Sequence, residues 1–387
     1  MDVRAQTLDE LRTRTSVKWR SYPADVLPLF VAEHDFPLAE PVADALHACI
    51  RRSDTGYSSG GPELPEAFAG FALSRWGWQV DPAHVRSTAD VSMGIVECLR
   101  GLIEPGDRVV ITPPVYPPFF ELVREAGGVV AEAPLLEDAE GWHLDLTAIE
   151  DAFAAGAKAM VLCNPHNPLG HPHDRSELEA LAAIAERHGA TVVSDEIHAP
   201  LTHRDARFVP FLTVSEAARE HGISITSASK AFNLAGLKCA VMVTASPRMR
   251  AIIEGMYQEV FWRTSHLGVH ASIAAFQHGS EWLDGLLASL EENRALLSRL
   301  IHQKLPGVGF REPRASYLAW LDVRRLQLGD EPARHLLTRA RVALGAGRDF
   351  GVQGTGFVRL NFGCSPEVLT DAVDRIAAAT IGTYDRH

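Results

Sequence analysis

The sequence predicts an α/β fold, with a large domain whose mostly parallel sheet is flanked by helices and a smaller α+β domain after it. Two observations predict this. Between about Arg108 and Thr244, short β-branched runs alternate with helical segments, the order expected of parallel strands joined by crossover helices. Beyond a long amphipathic stretch from Ser280 to Lys304, the strand-like runs are shorter and the chain closes on a helix.

Taken in order, residues 1–45 form an N-terminal segment that we expect to join the small domain, 46–279 the large domain and 280–387 the small one. The start, Met1 to Val31, mixes Arg12, Arg14, Lys18 and Arg20 with Asp9, Glu10 and Asp25, so it lacks the apolar centre of a signal peptide. The predicted strands are Val109 to Thr112, Val129 to Ala131, Ala159 to Leu162, Thr191 to Ser194, Ile223 to Thr226 and Ala240 to Val243. Several are apolar with little alternation, as strands buried on both faces require. Ser176 with Glu179, and Thr213 with Glu216, have capping-box spacing, which predicts helix starts there. Ser246-Pro247 predicts another helix running toward Val260, because Pro suits the first helical position. In the Ser280 to Lys304 stretch, Trp282, Leu286, Leu290 and Leu297 recur at turn spacing, with Glu291, Glu292 and Arg294 on other faces. Strands are then expected at Tyr317 to Val323 and Phe357 to Phe362, with a last helix after Ser365-Pro366.

Composition narrows the class of function. Of 387 residues, 46% are hydrophobic and 22% charged, enough apolar material for large cores. The net charge of −12 comes from dispersed Asp and Glu, which favours solubility and argues against nucleic acid as a partner. No apolar run approaches the roughly 18 residues of a membrane span, so we expect a cytoplasmic protein. Cys49, Cys98, Cys163, Cys239 and Cys364 stand far apart without CxxC spacing, so free thiols are expected rather than a zinc or redox motif. Among 17 histidines, His166, His171 and His173 fall close together. No HExxH or Cys/His constellation accompanies them, and no metal is expected.

Four predicted strand ends carry chemistry. In Ser227-Ala228-Ser229-Lys230 a lysine follows a strand and two serines, and Lys238 stands further along the same segment. Hydroxyls of Ser227 and Ser229 can donate to phosphate oxygens while Lys238 neutralises their charge; a surface lysine is the commonest alternative. Asp195 ends the run Val192-Val193-Ser194-Asp195, where α/β folds place ligand sites; the alternative is a helix cap. Asn167 lies in Asn164-Pro165-His166-Asn167-Pro168-Leu169-Gly170, a loop that can present an amide to a ligand or be an ordinary Asn-Pro turn. Tyr116 lies in Pro113-Pro114-Val115-Tyr116-Pro117-Pro118-Phe119 and either stacks on a ring or packs within a rigid turn. Taken together, these residues suit pyridoxal phosphate, which needs an amine for its aldehyde, an acid for its ring nitrogen and donors for its phosphate.

The order of these four segments resembles the fold-type I PLP-dependent enzymes of the class I/II aminotransferase superfamily, whose fold is that of aspartate aminotransferase. Lys18-Trp19, the run Leu27 to Phe36, the Val115-Tyr116-Pro117-Pro118-Phe119 segment and Asp195-Glu196-Ile197-His198 resemble the MalY/PatB-type cystathionine β-lyases, or C-S lyases. The chain departs from that pattern at Glu33-His34, within the family's A-D-M-D-F string, and at Leu169, where Thr is common. The resemblance implies Lys230, Asp195 and Tyr116 as catalytic residues. It implies Asn167, His198, Ser92, Met93, Ser227, Ser229 and Lys238 as further cofactor contacts, with Ser92 and Met93 at a helix start that favours anions. Tyr57 would reach the cofactor phosphate of a second subunit in a homodimer, and Arg359 would fork onto the substrate carboxylate beside Asp35 and Asn167. Arg263 either meets a distal carboxylate or lies at the surface.

The implied reaction is α,β-elimination of a cysteine thioether such as cystathionine. The amine of Lys230 removes the α-proton, and a thiolate leaves readily because thiols have pKa values of about 8.5. Thiol, pyruvate and ammonia result. The same residues serve transamination of an amino acid, and a regulatory protein that keeps the fold and cofactor is the third expectation.

Overall fold

A computed structural model describes residues 1–139 and 141–380. Seven strands form the main sheet: β1 Val85–Thr88, β2 Arg108–Ile111, β3 Val129–Glu132, β4 Ala159–Cys163, β5 Thr191–Asp195, β6 Gly222–Thr226 and β7 Ala240–Val243. Their spatial order is β1-β7-β6-β5-β4-β2-β3, and β7 alone runs against its neighbours. The unalternating apolar runs are explained by burial on both faces. Val110, Met160, Leu162 and Val192 enter one core layer, while Val109, Ile111, Val161 and Val193 enter another, as a side-chain period of two demands. Each fully buried aliphatic side chain contributes roughly 1.5–3 kcal/mol.

The helices that matter below are α1 Glu40–Arg51, α2 Val91–Leu102, α3 Arg175–His188, α4 Pro247–Glu254, α5 His266–His278, α6 Ser280–Lys304 and α7 Pro366–Thr380. A second, wholly antiparallel sheet contains β8 Gly309–Phe310, β9 Leu318–Asp322, β10 Gly345–Ala346 and β11 Phe357–Asn361, in the order β8-β9-β11-β10. Leu27–Pro28 of the N-terminal segment pairs in parallel with Val342–Ala343, so the first residues reach the part of the chain that follows α6.

Local differences from the sequence reading have local causes. Helix α3 starts after Asp174, two residues before the predicted cap at Ser176. Thr213 closes a 3-10 turn, its hydroxyl donating to the Pro210 carbonyl at 2.8 Å, and Ser215 caps the helix Glu216–His221 instead. Ser246 caps α4 as expected, but the helix stops at Gly255 and a separate short helix, Glu259–Trp262, follows. Strand β1 was missed because Val85-Arg86-Ser87-Thr88 is short and neither apolar nor strongly alternating.

Candidate active site

Because β1, β2, β4, β5 and β6 run the same way, their carboxyl ends share one edge of the sheet, where ligand clefts of open α/β sheets form. A cavity of about 210 Å³ lies there, lined by Asp90, Ser92, Tyr116, Asn167, Asp195, His198, Ser229, Lys230, Lys238 and Arg359, together with Val31, Ala32 and Cys163. Most of the polar wall residues follow strand ends. Asp90 and Ser92 come after β1, Tyr116 after β2, Asn167 after β4, His198 after β5, and Ser229 and Lys230 after β6, while Asp195 is the last residue of β5. Arg359 enters from β11 of the second sheet.

Lys230 and Asp195 face this cavity without bonding to each other. The Lys230 amine donates to the Ala32 carbonyl at 2.9 Å, and burial, assisted by the nearby Arg359 charge, lowers its pKa to about 8. Asp195 is 5% exposed and accepts one backbone hydrogen bond, from the Ile197 N–H at 3.1 Å. Burial raises its carboxyl to about 7, against the pull of that hydrogen bond and of Lys230. Burial also depresses His198 to about 3, so its ring is neutral, and its Nδ1 is buried without a partner. The Tyr116 phenol is raised by burial and by the Asp195 charge, which keeps it protonated.

Arg359 is held like a fixed fork. It donates to Asn167 Oδ1 at 3.0 Å and to the Phe30 carbonyl at 2.6 Å, and its guanidinium lies 5.1 Å from the centre of the Phe350 ring. Burial lowers its pKa to about 10, so it stays charged at neutral pH, and its Nε has no partner. At the other end of the cavity Lys238 pairs with Asp90 at 2.9 Å. Asp90 also caps α2 by accepting from the Met93 N–H at 2.8 Å.

Several predicted contacts lie elsewhere. Asp35 is buried in an ion pair with Lys18, 2.7 Å from its amine, and does not line the cavity. Ser227 donates to the Cys239 carbonyl at 2.6 Å and accepts from the Ser229 N–H at 3.0 Å, so its hydroxyl is spent within the loop. Met93 offers an N–H already bonded to Asp90. Tyr57 is 89% exposed and outside the cavity of its own chain, and Arg263 borders a separate cavity with Tyr257 and Lys238.

Other wall-builders were missed. Backbone carbonyls of Phe30 to Glu33 form one side: Tyr317 donates to Ala32 at 3.1 Å, and Asn361 donates to Val31 and Glu33 at 2.7 Å each. Asn361 was legible, since it stands two residues after Arg359 on one strand and so on the same face. Asp90 carried a capping signal that was readable beside Ser92.

The residues fit pyridoxal phosphate. A buried amine, a buried carboxylate with spare acceptor capacity and a lysine paired with the Asp90 cap of α2 converge on one cavity, and His198 Nδ1 and Arg359 Nε are left unpartnered, as a wall built to meet a polar ligand leaves them. The family described as aminotransferase class I and II matches residues 26–376. The chain is 35% identical over 376 residues to the cystathionine beta-lyase of Corynebacterium glutamicum, covering 97% of this chain and all of the relative. It is 44% identical over 402 residues, 97% of each chain, to a Mycobacterium tuberculosis relative whose name, cystathionine beta-lyase, is provisional. Among solved structures, cystalysin from Treponema denticola, which contains a pyridoxal 5'-phosphate cofactor, superposes with a TM-score of 0.88 at 25% identity, over 95% of this chain and 96% of that one.

Proposed function

The chain belongs to the aminotransferase class I and II family, and from that premise we propose that it is a pyridoxal-phosphate-dependent carbon–sulfur β-lyase of the cystathionine β-lyase type. The observation that carries this reading is the separation of Lys230 from Asp195 within one cavity, each buried and neither satisfied by the other. Lys230, Asp195, Asn167, His198, Tyr116, Ser92, Ser229 and Lys238 would hold the cofactor. When bound, it supplies an electron-poor pyridinium ring that accepts the electron pair released at the substrate's α-carbon.

The protein's own residues do the rest. Arg359 receives the substrate carboxylate through its fork, and Asn167 and the Phe30 carbonyl keep that fork from turning. Lys230, with a pKa near 8, is a base matched to neutral pH, and it takes the proton from the α-carbon. Asp195 keeps a proton at the ring nitrogen by offering a buried negative charge. The thiolate then leaves Cβ with little acid assistance. The neutral His198 ring adds no competing charge beside Asp195.

Cysteine thioethers such as cystathionine are the proposed substrates, cleaved with the uptake of one water to thiol, pyruvate and ammonia. We place the enzyme in the cytoplasm as a homodimer. Its five cysteines are free and buried, which suits a reducing compartment, and the exposed Tyr57 is available to a second subunit's phosphate site. Purified protein incubated with cystathionine tests the reaction: equimolar thiol and pyruvate support it, while amino transfer to a keto acid without thiol release would establish the aminotransferase reading instead.

A further inference from the structure

Behind the loop that presents Asn167, the chain gathers a second set of groups that the reaction does not use. The loop turns tightly: the His166 N–H donates to the His171 carbonyl, and the Gly170 N–H to the His166 carbonyl, both at 2.7 Å. Gly170, with φ of +63°, is pressed against Pro313 and Ala315, and its carbonyl accepts from the Arg314 and Ala315 N–H groups at 2.8 and 2.9 Å. The turn therefore returns His171 and His173 beside His166. The His171 and His173 rings are 5.6 Å apart and those of His166 and His173 are 6.0 Å apart. Glu177, four residues after His173 in the first turn of α3, brings Oε2 to 2.7 Å from His173 Nδ1. Its Oε1 accepts from the Leu144 N–H at 2.6 Å, which fixes the carboxylate.

We propose that His171, His173 and Glu177 form a binding site for a divalent transition metal of the zinc class, distinct from the catalytic cavity. One ligand atom from each lies within 4.8 Å of the other two. Tetrahedral ligands at 2.0–2.2 Å from zinc stand roughly 3.4 Å apart, so small side-chain rotations close the set. A second observation points the same way. His173 is 1% exposed with Nε2 unpartnered, and His166 is 1% exposed with neither ring nitrogen partnered. Buried imidazole nitrogens rarely go unsatisfied, and the His173 ring stands beside a fixed carboxylate. Two imidazoles and one carboxylate leave a coordination position open, as in zinc sites that retain a water or an exchangeable ligand. His171 also borders a cavity of about 500 Å³, through which an ion can enter.

A rival cluster, Cys49, Asp54 and His270, lies between α1 and α5 with ligand atoms equally close. There Arg52 sits 3.7 Å from Cys49 Sγ and 3.5 Å from Asp54, and His266 is 3.1 Å from Asp54. Cys49 and Asp54 thus already have a cationic neighbour in Arg52, and Asp54 a second partner in His266. At His171, His173 and Glu177 no hydrogen bond or ion pair from Lys or Arg reaches Glu177 among the described residues. A metal ion there would tie the loop containing Asn167 to α3 and thereby stiffen one wall of the cavity.

Titration of the holoenzyme with cobalt(II), read by its visible ligand-field bands, and with zinc by calorimetry, tests the site. One ion per chain is expected, with affinity weakened at least tenfold in His171→Asn and in Glu177→Gln. Partly exposed His171 provides a variant that folds even if changes at buried His173 do not, and the holoenzyme absorbance and circular dichroism check this. Absence of stoichiometric binding to the wild type would overturn the proposal. So would binding that survives His171→Asn and Glu177→Gln but is lost in Cys49→Ser, which would place the ion at the rival cluster.

Discussion

Two buried lysine–aspartate sets in this molecule are built in opposite ways. Lys18 is 1% exposed, lies 2.7 Å from Asp35 and also donates to the Glu33 carbonyl at 2.9 Å. The pair is direct, although the second Asp35 oxygen is buried without a partner and burial raises this carboxyl as well. Lys230 and Asp195 are likewise removed from bulk water, yet among the described residues the amine bonds only to a carbonyl and the carboxylate only to one N–H. Burial therefore moves both toward neutrality, the amine down to about 8 and the acid up to about 7. A paired set fixes the N-terminal segment in place, whereas a separated set keeps its reactivity for a ligand. On the proposed reading, folding stability and chemistry belong to different lysines.

Replacing each lysine should separate the two roles most sharply. Lys230→Ala is expected to lower thioether cleavage by about a thousandfold or more, in line with loss of a positioned base and cofactor anchor, while urea unfolding of the cofactor-free protein changes little or shifts toward higher stability. Lys18→Met should do the reverse. It leaves Asp35 buried and unpaired, for a loss of roughly 3–5 kcal/mol in urea unfolding, and the further change Asp35→Leu should restore much of it. If both lysine variants lost stability equally and kept activity, the contrast would be broken.

Asp195→Asn probes the same contrast through pH. Between the ordinary value of 3.8 and about 7, the folded cofactor-free protein holds a proton at Asp195 that the unfolded chain has released, so wild-type stability falls as pH rises through that window. The Asn variant lacks this fall. It should be the more stable apoprotein at pH 7.5, by roughly 4 kcal/mol, and equal to wild type near pH 4; parallel stability–pH curves would contradict the assignment. Arg359→Lys keeps the charge but loses the fork, so KM for the thioether should rise about tenfold with a smaller change in kcat. Tyr116→Phe should change kcat by only a few-fold, because the stacking surface is retained.

Much of this was readable before folding was considered. Six of the seven strands of the main sheet announce themselves through apolar or β-branched runs, and four of their ends were marked by Tyr116, Asn167, Asp195 and Lys230. What was hidden depends on contacts far apart in sequence. Nothing local shows that Lys18 will claim Asp35, or that the Ser227 hydroxyl will turn to the Cys239 carbonyl instead of a ligand. The capping boxes at Ser176 and Thr213 misled because Asp174 and Ser215 stood two residues away and competed for the same role. Glu177 joins His171 and His173 only once α3 begins at Arg175 and the turn at Gly170 has closed.

Reduction of the pyridoxal-phosphate-saturated protein with borohydride, followed by digestion and mass mapping, bears most directly on the division between the two lysines. One pyridoxyl label per chain, on the peptide containing Lys230, is the expected result. Label found at Lys18 or Lys238, or none on Lys230 in fully loaded protein, would contradict it.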